Sequence, residues 1–199
     1  YDESIENYKK ALKLNQNFTN SYVGISDNLN FKGDFQNARA ELDKMLQVAR
    51  NDGERRTAIF AKAVSYLNEG NHQGALQELD KQLALAKKMN DPAGVGGDLN
   101  TMGLVLLEKN QPKEAQSKFD EGLKAVTSSN QSAEIKRVAE RTHFFLSAQA
   151  ALQSGDLKAA EWNQAELQKQ AAAEKNTFAT NLAHELAGRI AFQKKDYVL

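Results

Sequence analysis

Apolar residues recur every three or four positions along nearly the whole chain, and short polar breaks divide this pattern into ten segments. Such spacing places apolar side chains on one face of an α-helix. Residues 102–119 show it most clearly, with an apolar stretch that includes Leu104, a break at Asn110 and then Pro112. Proline is tolerated at the first position of a helix, where its missing N–H needs no partner. This stretch therefore predicts one helix, a tight turn and a second helix.

The same pattern predicts helices along the rest of the chain. Alanine, leucine, lysine, glutamine and glutamate are abundant, there are only two prolines, and no segment has the alternation of a β-strand. The protein is therefore expected to be all-α. The predicted helices span residues 1–14, 19–31, 35–49, 54–69, 73–89, 93–109, 112–127, 132–153, 157–174 and 178–193.

A short turn separates the two helices of each predicted pair. Glycines begin three of these turns, where a left-handed backbone commonly ends the preceding helix. Asp34 is expected to cap the helix that follows it, because its side chain can accept a backbone N–H of the first helical turn. The turns begin at Gly33, Gly70, Asn110, Gly155 and Lys195, and the last of them reaches Tyr197.

A small residue stands five positions after the start of each of the first four turns. Ser4 occupies the same place in a unit whose first helix is missing, and successive small residues are 34 to 45 positions apart. One helical hairpin per period of this length is typical of an α-solenoid. A small side chain there lets two helix axes approach to roughly 8–10 Å. The four residues are Ala38, Ala75, Ala115 and Ala160.

Large and small residues around these positions keep a repeated order. The order resembles that of the tetratricopeptide repeat (TPR) in its long-repeat form, over the whole chain. In that family the first helix carries large-x-x-large-small-x-x-large and the second helix carries small-x-x-x-aromatic-x-x-small. Gln82, Gln164 and Leu167 depart from it. The third pair matches best, with Leu99, Met102, Gly103 and Leu106 in its first helix and Ala115, Phe119 and Gly122 in its second.

The resemblance implies an α-solenoid of stacked antiparallel helix hairpins that winds into a right-handed superhelix. We expect residues 1–199 to form a single TPR-like array of about five repeats. Because the sequence starts in a second helix and stops before the next one, the register predicts an array that begins and ends within a repeat. The chain is therefore expected to be an excerpt of a larger protein.

The resemblance also implies a function, since the first helices of a TPR array line an inner, concave face that binds a peptide or helix of another protein. We expect a protein partner of this kind, with Phe60, Leu104 and Phe145 as its main contacts. The residues that the register places on this face are Val23, Asp27, Phe31, Phe60, Val64, Leu67, Asn100, Leu104, Leu107, Phe145, Gln149, Leu152, Arg189 and Phe192.

Two alternatives to a binding scaffold are open at this stage. The repeats could be a sensory or docking appendage of a larger enzyme or regulator whose catalytic domain lies outside residues 1–199. They could also hold a small ligand, although small ligands favour closed clefts over open grooves. In chaperone-docking members of the family, a Lys and Asn clamp on the inner face holds a terminal carboxylate. No repeat here supplies that pair, so we expect no specific binding of acidic chaperone tails.

Charge and composition exclude several classes of function. Lysines and arginines number 26, as do aspartates and glutamates, so a basic nucleic-acid surface is not expected. Cysteine is absent, which excludes disulfides, thiolate metal sites and a cysteine nucleophile. No apolar run approaches the roughly 18 residues of a membrane span, so membrane insertion is not expected. The cellular compartment and the oligomeric state stay open.

Candidate chemical motifs are weak. His184 and Glu185 match the start of the zinc-protease HExxH motif, but the second histidine is replaced by Gly188. The glycine-rich run at residues 94–97 follows no strand and precedes no Gly-Lys-Ser/Thr, so it predicts a flexible turn and not a phosphate loop. His72 and His143 are far apart in sequence. We therefore expect no metal, no cofactor and no enzymatic activity in this chain.

Overall fold

The computed structural model describes residues 1–196, which are all-α. The predicted helix boundaries are confirmed to within two residues. Part of the fifth turn, Tyr197, and the two residues after it lie outside the described residues. The helices are α1 (Asp2–Leu14), α2 (Thr19–Phe31), α3 (Phe35–Val48), α4 (Asp52–Asn68), α5 (His72–Lys88), α6 (Pro92–Glu108), α7 (Pro112–Thr127), α8 (Ala133–Ser154), α9 (Leu157–Glu174) and α10 (Thr177–Lys194).

The predicted turn chemistry is confirmed. Gly33, Gly70 and Gly155 have φ values of 77°, 79° and 79°. Asn110 and Lys195, which begin the other two turns, are also left-handed, with φ values of 59° and 58°. An L side chain adopts this conformation at some cost, and asparagine tolerates it best. The residue that begins each of the five turns thus has the same left-handed conformation.

Side-chain caps define where the helices begin. Asp34 accepts the backbone N–H of Asn37 at the start of α3, as predicted. The residues before α4, α5, α6, α8, α9 and α10 make the equivalent hydrogen bond. Each such cap satisfies one of the unpaired N–H groups of a first helical turn. The helix starts are therefore specified locally.

The helices form two compact units. Unit 1 is Tyr1–Asn90, with α1 to α5, and unit 2 begins at Asp91, with α6 to α10. In unit 1 each helix packs on its sequence neighbours, and α2 also contacts α4. In unit 2 the same holds, and α8 also contacts α6 and α10. Each unit is therefore a stack of antiparallel helix hairpins in which the first helices of successive pairs touch.

The recurrent alanines lie where the paired helices cross. Ala38, Ala75, Ala115 and Ala160 are all fully buried. Glycine plays the same part on the facing helix, because a Cβ atom on Gly103 would lie 2.2 Å from the Phe119 ring. The repeat register is therefore confirmed at the positions that carry it.

The glycine run at residues 94–97 was predicted both as a flexible turn and as part of the helix 93–109. The structure confirms the helix, and the prediction of a turn is wrong. The run lies in the first turns of α6, where Asp91 accepts the backbone N–H of Gly94 at 2.9 Å. A Cβ atom on Gly96 would lie 3.2 Å from the Gly122 carbonyl oxygen. The run therefore lets the backbones of α6 and α7 come unusually close.

The fourth repeat keeps its packing by a different register. Leu167 is fully buried in a cluster with Ala160 and Leu186, seven residues after the small residue instead of four. Gln164, at the usual aromatic position, donates a hydrogen bond to the Ala183 carbonyl oxygen at 3.3 Å.

Within residues 1–196, no helix has both the length and the apolar character needed to cross a membrane.

Candidate functional site

The fourteen residues predicted to line an inner face lie on five first helices, α2 and α4 in unit 1 and α6, α8 and α10 in unit 2. In unit 1, Val23, Asp27 and Phe31 follow one another at four-residue intervals, so they share one side of α2. Phe60, Val64 and Leu67 lie on α4, which contacts α2.

Aromatic side chains dominate the exposed part of this face in unit 1. Phe31 is 73% exposed and stacks on Tyr1, with ring centroids 5.6 Å apart and planes inclined by 12°. Phe60 is 42% exposed, whereas Val64 and Leu67 are half-buried. Val23 is also half-buried and packs against the core around Leu42. Phe31 and Phe60 are therefore the apolar groups most open to a partner.

A carboxylate lies on the same side of α2. Asp27 is exposed, and the atoms around it still displace enough water to raise the pKa of its carboxyl through burial. Among residues 1–196 it has no hydrogen-bond or ion-pair partner. Its flanking residues one turn away, Val23 and Phe31, are apolar. The negative charge therefore stands uncompensated beside exposed aromatic rings.

In unit 2 the first helices enclose a groove of about 820 Å³. Five of the predicted residues line it, and the register therefore located much of this surface. Glu108, Gln153, Glu185, Gly188 and Gln193 complete the lining. The five predicted residues are Leu107, Gln149, Leu152, Arg189 and Phe192.

Two glutamine amides of the groove are already hydrogen-bonded within the protein. Gln153 Nε2 donates to the Leu107 carbonyl oxygen at 2.9 Å. Gln193 Nε2 donates to the Leu152 carbonyl oxygen at 3.1 Å, and so makes the corresponding bond one repeat later. Each of these carbonyls lies near the end of a first helix and also accepts a backbone N–H of the following turn, so the glutamine amide is a second donor to it. The groove therefore presents apolar side chains and few vacant amide donors.

Charge and exposure vary along the groove. Phe192 is 72% exposed, whereas Leu152 is 7% exposed and belongs to the core of unit 2, so it offers little surface to a partner. Arg189 and Glu185, one turn apart on α10, form an exposed pair at 3.6 Å. Exposed pairs of this kind contribute little to stability. Phe192 is thus the most exposed large apolar side chain of the groove.

Three predicted residues of unit 2 do not line this groove. Asn100 lies against α7, with its Oδ1 atom 3.1 Å from the position of a Cβ atom on Gly122. Leu104 is 40% exposed on α6. Phe145 packs against the two buried clusters around Ala148 and Phe119. A substitution of Phe145 therefore acts on the fold as well as on the surface.

A histidine, a serine and an aspartate meet between α7 and α8, an arrangement that the sequence did not indicate. His143 Nε2 lies 2.7 Å from Asp120 Oδ1 and 3.3 Å from Ser147 Oγ. A catalytic triad uses one ring nitrogen for the acid and the other for the nucleophile. Here both contacts involve Nε2, and Nδ1 is buried without a hydrogen bond. This geometry does not activate the serine.

A second cavity, of about 430 Å³, is lined by residues of α7, α8 and α9. Trp162 forms part of its wall, is 59% exposed and packs edge-to-face on Phe144 with centroids 5.8 Å apart. The repeat register did not predict this cavity, because the register describes only the inner side of the first helices.

Among residues 1–196, no group of three or more His, Cys, Asp or Glu side chains could hold a metal ion.

Comparison with solved structures identifies the fold. No protein-family model and no curated protein matches the chain. The crystal structure of BtubC (BKLC) from P. vanneervenii superposes with a TM-score of 0.62 at 14% identity, covering 98% of this chain and 85% of that one. The crystal structure of MamA protein gives a TM-score of 0.50 at 16% identity, covering 100% and 86%.

The chain has a TPR-like fold. The repeat register and the helix hairpins of both units agree with this assignment. A structure of nearly identical TPR-like repeats from a putative kinesin light chain of Podosopora anserina has a TM-score of 0.49 at 14% identity, covering 88% of this chain and 96% of that one. At such identities the similarity concerns the TPR-like fold alone.

Proposed function

We propose that this TPR-like protein is a scaffold for protein–protein interaction, and that the groove of unit 2 receives an amphipathic helix of another protein. The observation that carries the proposal is the groove itself, which is lined by the exposed Phe192 and the half-buried Leu107. Exposed apolar patches on a folded protein commonly mark interaction surfaces. The other inner-face residues of unit 2 are secondary in this proposal.

The hydrogen bonds of the groove favour a helix over an extended peptide. An extended segment brings unpaired backbone N–H and C=O groups, which need partners when they are buried. The amides of Gln153 and Gln193 are engaged with carbonyl groups of the protein. A helix satisfies its own backbone and presents apolar side chains at positions i, i+3, i+4 and i+7. It is therefore the better fit.

The proposal includes no catalytic role for residues 1–196. Asp120 and Ser147 both contact Nε2 of His143, and its Nδ1 makes no hydrogen bond. His143 is therefore not arranged as the base of a catalytic triad for Ser147. The glycine run that could have bound phosphate lies inside α6, packed against α7. These observations support a binding role over an enzymatic one.

Replacement of Phe192 tests the proposal. A phage-displayed library of amphipathic helices is selected on the complete chain, and affinities of selected peptides are measured by fluorescence anisotropy. Because an aromatic anchor in a groove contributes ~2 kcal/mol or more, Phe192→Ala is expected to weaken binding by about 30-fold. Circular dichroism should be unchanged, since the ring is largely exposed.

Phe178→Ala is the matched control. Phe178 is on the same helix, is 73% exposed and lies outside the groove. Fourteen residues of helix separate it from Phe192, a distance of about 21 Å at 1.5 Å per residue. Its replacement should leave the affinity unchanged. Equal affinity of both variants and the native chain would remove the groove of unit 2 from the proposal.

A further inference from the structure

We infer that the cavity lined by α7, α8 and α9 binds an uncharged heteroaromatic ring that carries an N–H donor, such as an indole. The inference is independent of the proposed scaffold function and concerns another side of unit 2. Ser147 lines this cavity, whereas Gln149 lines the groove of unit 2. Two positions of an α-helix correspond to about 200° of rotation, so the cavity and the groove lie on opposite sides of α8.

The size and the walls of the cavity suit a small, flat ligand. Its volume of about 430 Å³ is within the range of small-molecule sites. Such sites are typically lined by apolar groups, with a few polar atoms that orient the ligand. Three alanines line this cavity, and their short side chains leave space between the helices. They are Ala150, Ala151 and Ala159.

Trp162 offers an aromatic surface to this ligand. Its side chain is 59% exposed, whereas tryptophan is highly buried on average. Phe144 packs edge-to-face on the indole of Trp162, with the ring planes inclined by 75°, and supports it from one side. Aromatic pairs favour stacked or edge-to-face arrangements. A flat ring inside the cavity can therefore pack on the part of Trp162 that Phe144 leaves uncovered.

An unpaired acceptor in the wall indicates which polar group the ligand needs. Asn163 lines the cavity and is 7% exposed. Its Nδ2 atom donates to the Ala159 carbonyl oxygen at 2.9 Å, whereas its Oδ1 atom is buried with no hydrogen-bond partner among residues 1–196. A buried acceptor without a donor costs free energy and is uncommon in folded proteins. An N–H group of a ligand would satisfy it.

His143 contributes a second acceptor of the same kind. Its Nε2 atom lies 2.7 Å from Asp120 Oδ1. An ionised carboxylate can only accept, so Nε2 carries the proton of the neutral imidazole and Nδ1 is left as an acceptor. Within the part of the chain that the structure describes, Nδ1 is buried without a hydrogen bond. His143 also lines the cavity, and both vacant atoms therefore favour a ligand that donates.

The charges of the lining favour an uncharged ligand. Lys113 and Asp156 are both exposed and have opposite signs. Asp156 caps α9 by accepting the backbone N–H of Ala159 at 3.0 Å, so its carboxylate is already engaged. The long side chain of Lys113 can keep its ammonium group in water. A charged ligand would lose hydration without gaining a buried counter-ion, which costs free energy.

Trp162 makes the test direct, because it is the single tryptophan of the chain. Labelling the complete chain with fluorotryptophan gives a single fluorine NMR resonance, which lies beside the cavity. Titration with indole should shift this resonance to saturation. Benzothiophene has nearly the same shape but no N–H group. It should bind about five- to tenfold more weakly, which is the usual effect of one hydrogen bond.

Asn163→Leu removes the acceptor at similar side-chain size. This variant should bind indole and benzothiophene about equally. Its melting temperature should be equal or higher, because a buried oxygen without a partner is lost. Gln164→Leu is the matched control, since Gln164 is the next residue of α9 and lies outside the cavity lining. It should keep the native preference for indole.

Trp162→Ala should weaken the binding of indole about tenfold in isothermal titration calorimetry, because it removes an aromatic contact. Phe178→Ala is the control, since Phe178 is an exposed aromatic residue of α10 outside the cavity, and it should leave the affinity unchanged. A blocked peptide with one tryptophan identifies the source of the ring. Tighter binding of the peptide than of indole assigns the ring to a side chain of another protein, and binding of indole alone assigns it to a free small molecule.

The outcomes separate this inference from the proposed function. Phe192→Ala should leave indole binding unchanged, and a loss of indole binding in that variant would place the ligand in the groove and overturn the inference. Equal affinities of the native chain for indole and benzothiophene would overturn the requirement for an N–H donor. Tighter binding of tryptamine or indoleacetate than of indole would overturn the preference for an uncharged ring. The absence of a saturable shift with indole would overturn the inference and leave the scaffold function standing.

Discussion

Small residues set the distance between paired helices in this protein. Ala75 and Ala115 have no exposed surface. Glycine beside such a position accepts an aromatic ring: Gly74 precedes Ala75 on α5, and the Tyr66 ring of α4 lies 2.6 Å from where a Cβ atom of Gly74 would be. Close-packed interiors leave no void for an added side chain. The tolerance of these sites for larger residues should therefore be low.

Enlarging either alanine tests this packing. Ala75→Leu and Ala115→Leu are each expected to destabilise the fold by about 1–3 kcal/mol, because overpacking forces helices apart or side chains out of their rotamers. Chemical denaturation followed by circular dichroism measures the change. Ala40→Leu, at an exposed position of α3, is the control and should be nearly neutral. Native stability in both buried variants would contradict the repeat register.

Sequence reasoning located such residues by their recurrence, but it does not reveal contacts that depend on the size of a neighbouring side chain. Asn100 occupies a register position of the inner face, but it lies against α7, where Gly122 leaves room for it. Phe145 was expected to contact a partner, and it packs on two buried clusters. The register gives the side of a helix on which a residue lies. It does not show how closely the neighbouring helix packs against that residue.

At the scale of the element, α9 shows how a helix keeps its packing after losing the usual aromatic residue. Its buried residues are Ala160, Asn163, Leu167 and Ala171. These positions are three to four residues apart and form one continuous side of the helix. The large side chain has moved one turn along that side, and Gln164 has become a hydrogen-bond donor to α10. The helix thus stays docked with a different set of contacts.

This shift predicts unequal effects of two substitutions in α9. Leu167→Ala should cost about 2–5 kcal/mol, because it empties a fully buried site. Gln164→Ala should cost no more than about 1 kcal/mol, which is the usual contribution of one hydrogen bond. Urea denaturation of the two variants compares them directly. A larger loss of stability for Gln164→Ala than for Leu167→Ala would mean that position 164, the usual aromatic position of the repeat, still carries the packing.

Element boundaries were predictable because their signals are local. Pro92 at the first position of α6 and the cap from Asp91 are both visible in the sequence. The glycine run that follows was predicted both as a turn, because glycine usually favours turns, and as part of a helix. The structure has the helix, and Gly122 of α7 packs closely on it, a contact between residues far apart in the chain. The sequence indicated the start of this helix but not that contact.

At the scale of the whole molecule, the inner side of the first helices lacks the chemistry of a carboxylate clamp. In the five repeats, the paired positions hold Val23 with Asp27, Phe60 with Val64, Asn100 with Leu104, Phe145 with Gln149 and Glu185 with Arg189. The cation among these pairs, Arg189, already has a carboxylate partner. No pair combines a lysine with an asparagine.

Peptides that end in the acidic chaperone tail are therefore expected not to bind specifically. Asp27 would repel a terminal carboxylate in unit 1, and Arg189 is held by Glu185 in unit 2. Isothermal titration calorimetry with such a peptide and its amidated form measures this. Saturable binding that disappears on amidation would show that a clamp exists elsewhere on the chain.

The repeat register predicted one array over residues 1–199, and it contains no information on how helix contacts are grouped. The contacts group into two compact units, with a boundary after Asn90. Asn90 itself is left-handed, with a φ of 51°. A left-handed asparagine also begins a turn within a repeat at Asn110. The same local signal therefore occurs within a unit and at a boundary, so sequence alone could not distinguish them.

The neighbour-only packing of helices has a consequence for how the protein folds. Within residues 1–196, every helix pair in substantial contact is one or two helices apart along the chain. Such a protein has a low contact order, which means that most contacts join residues close together in the sequence. Because these contacts require only short loops to close, the entropy lost before packing begins is small and folding is fast. In a repeat array, folding can also start at any hairpin and spread to the next. During synthesis, each hairpin within a unit is therefore expected to dock on the one before it as soon as it emerges from the ribosome.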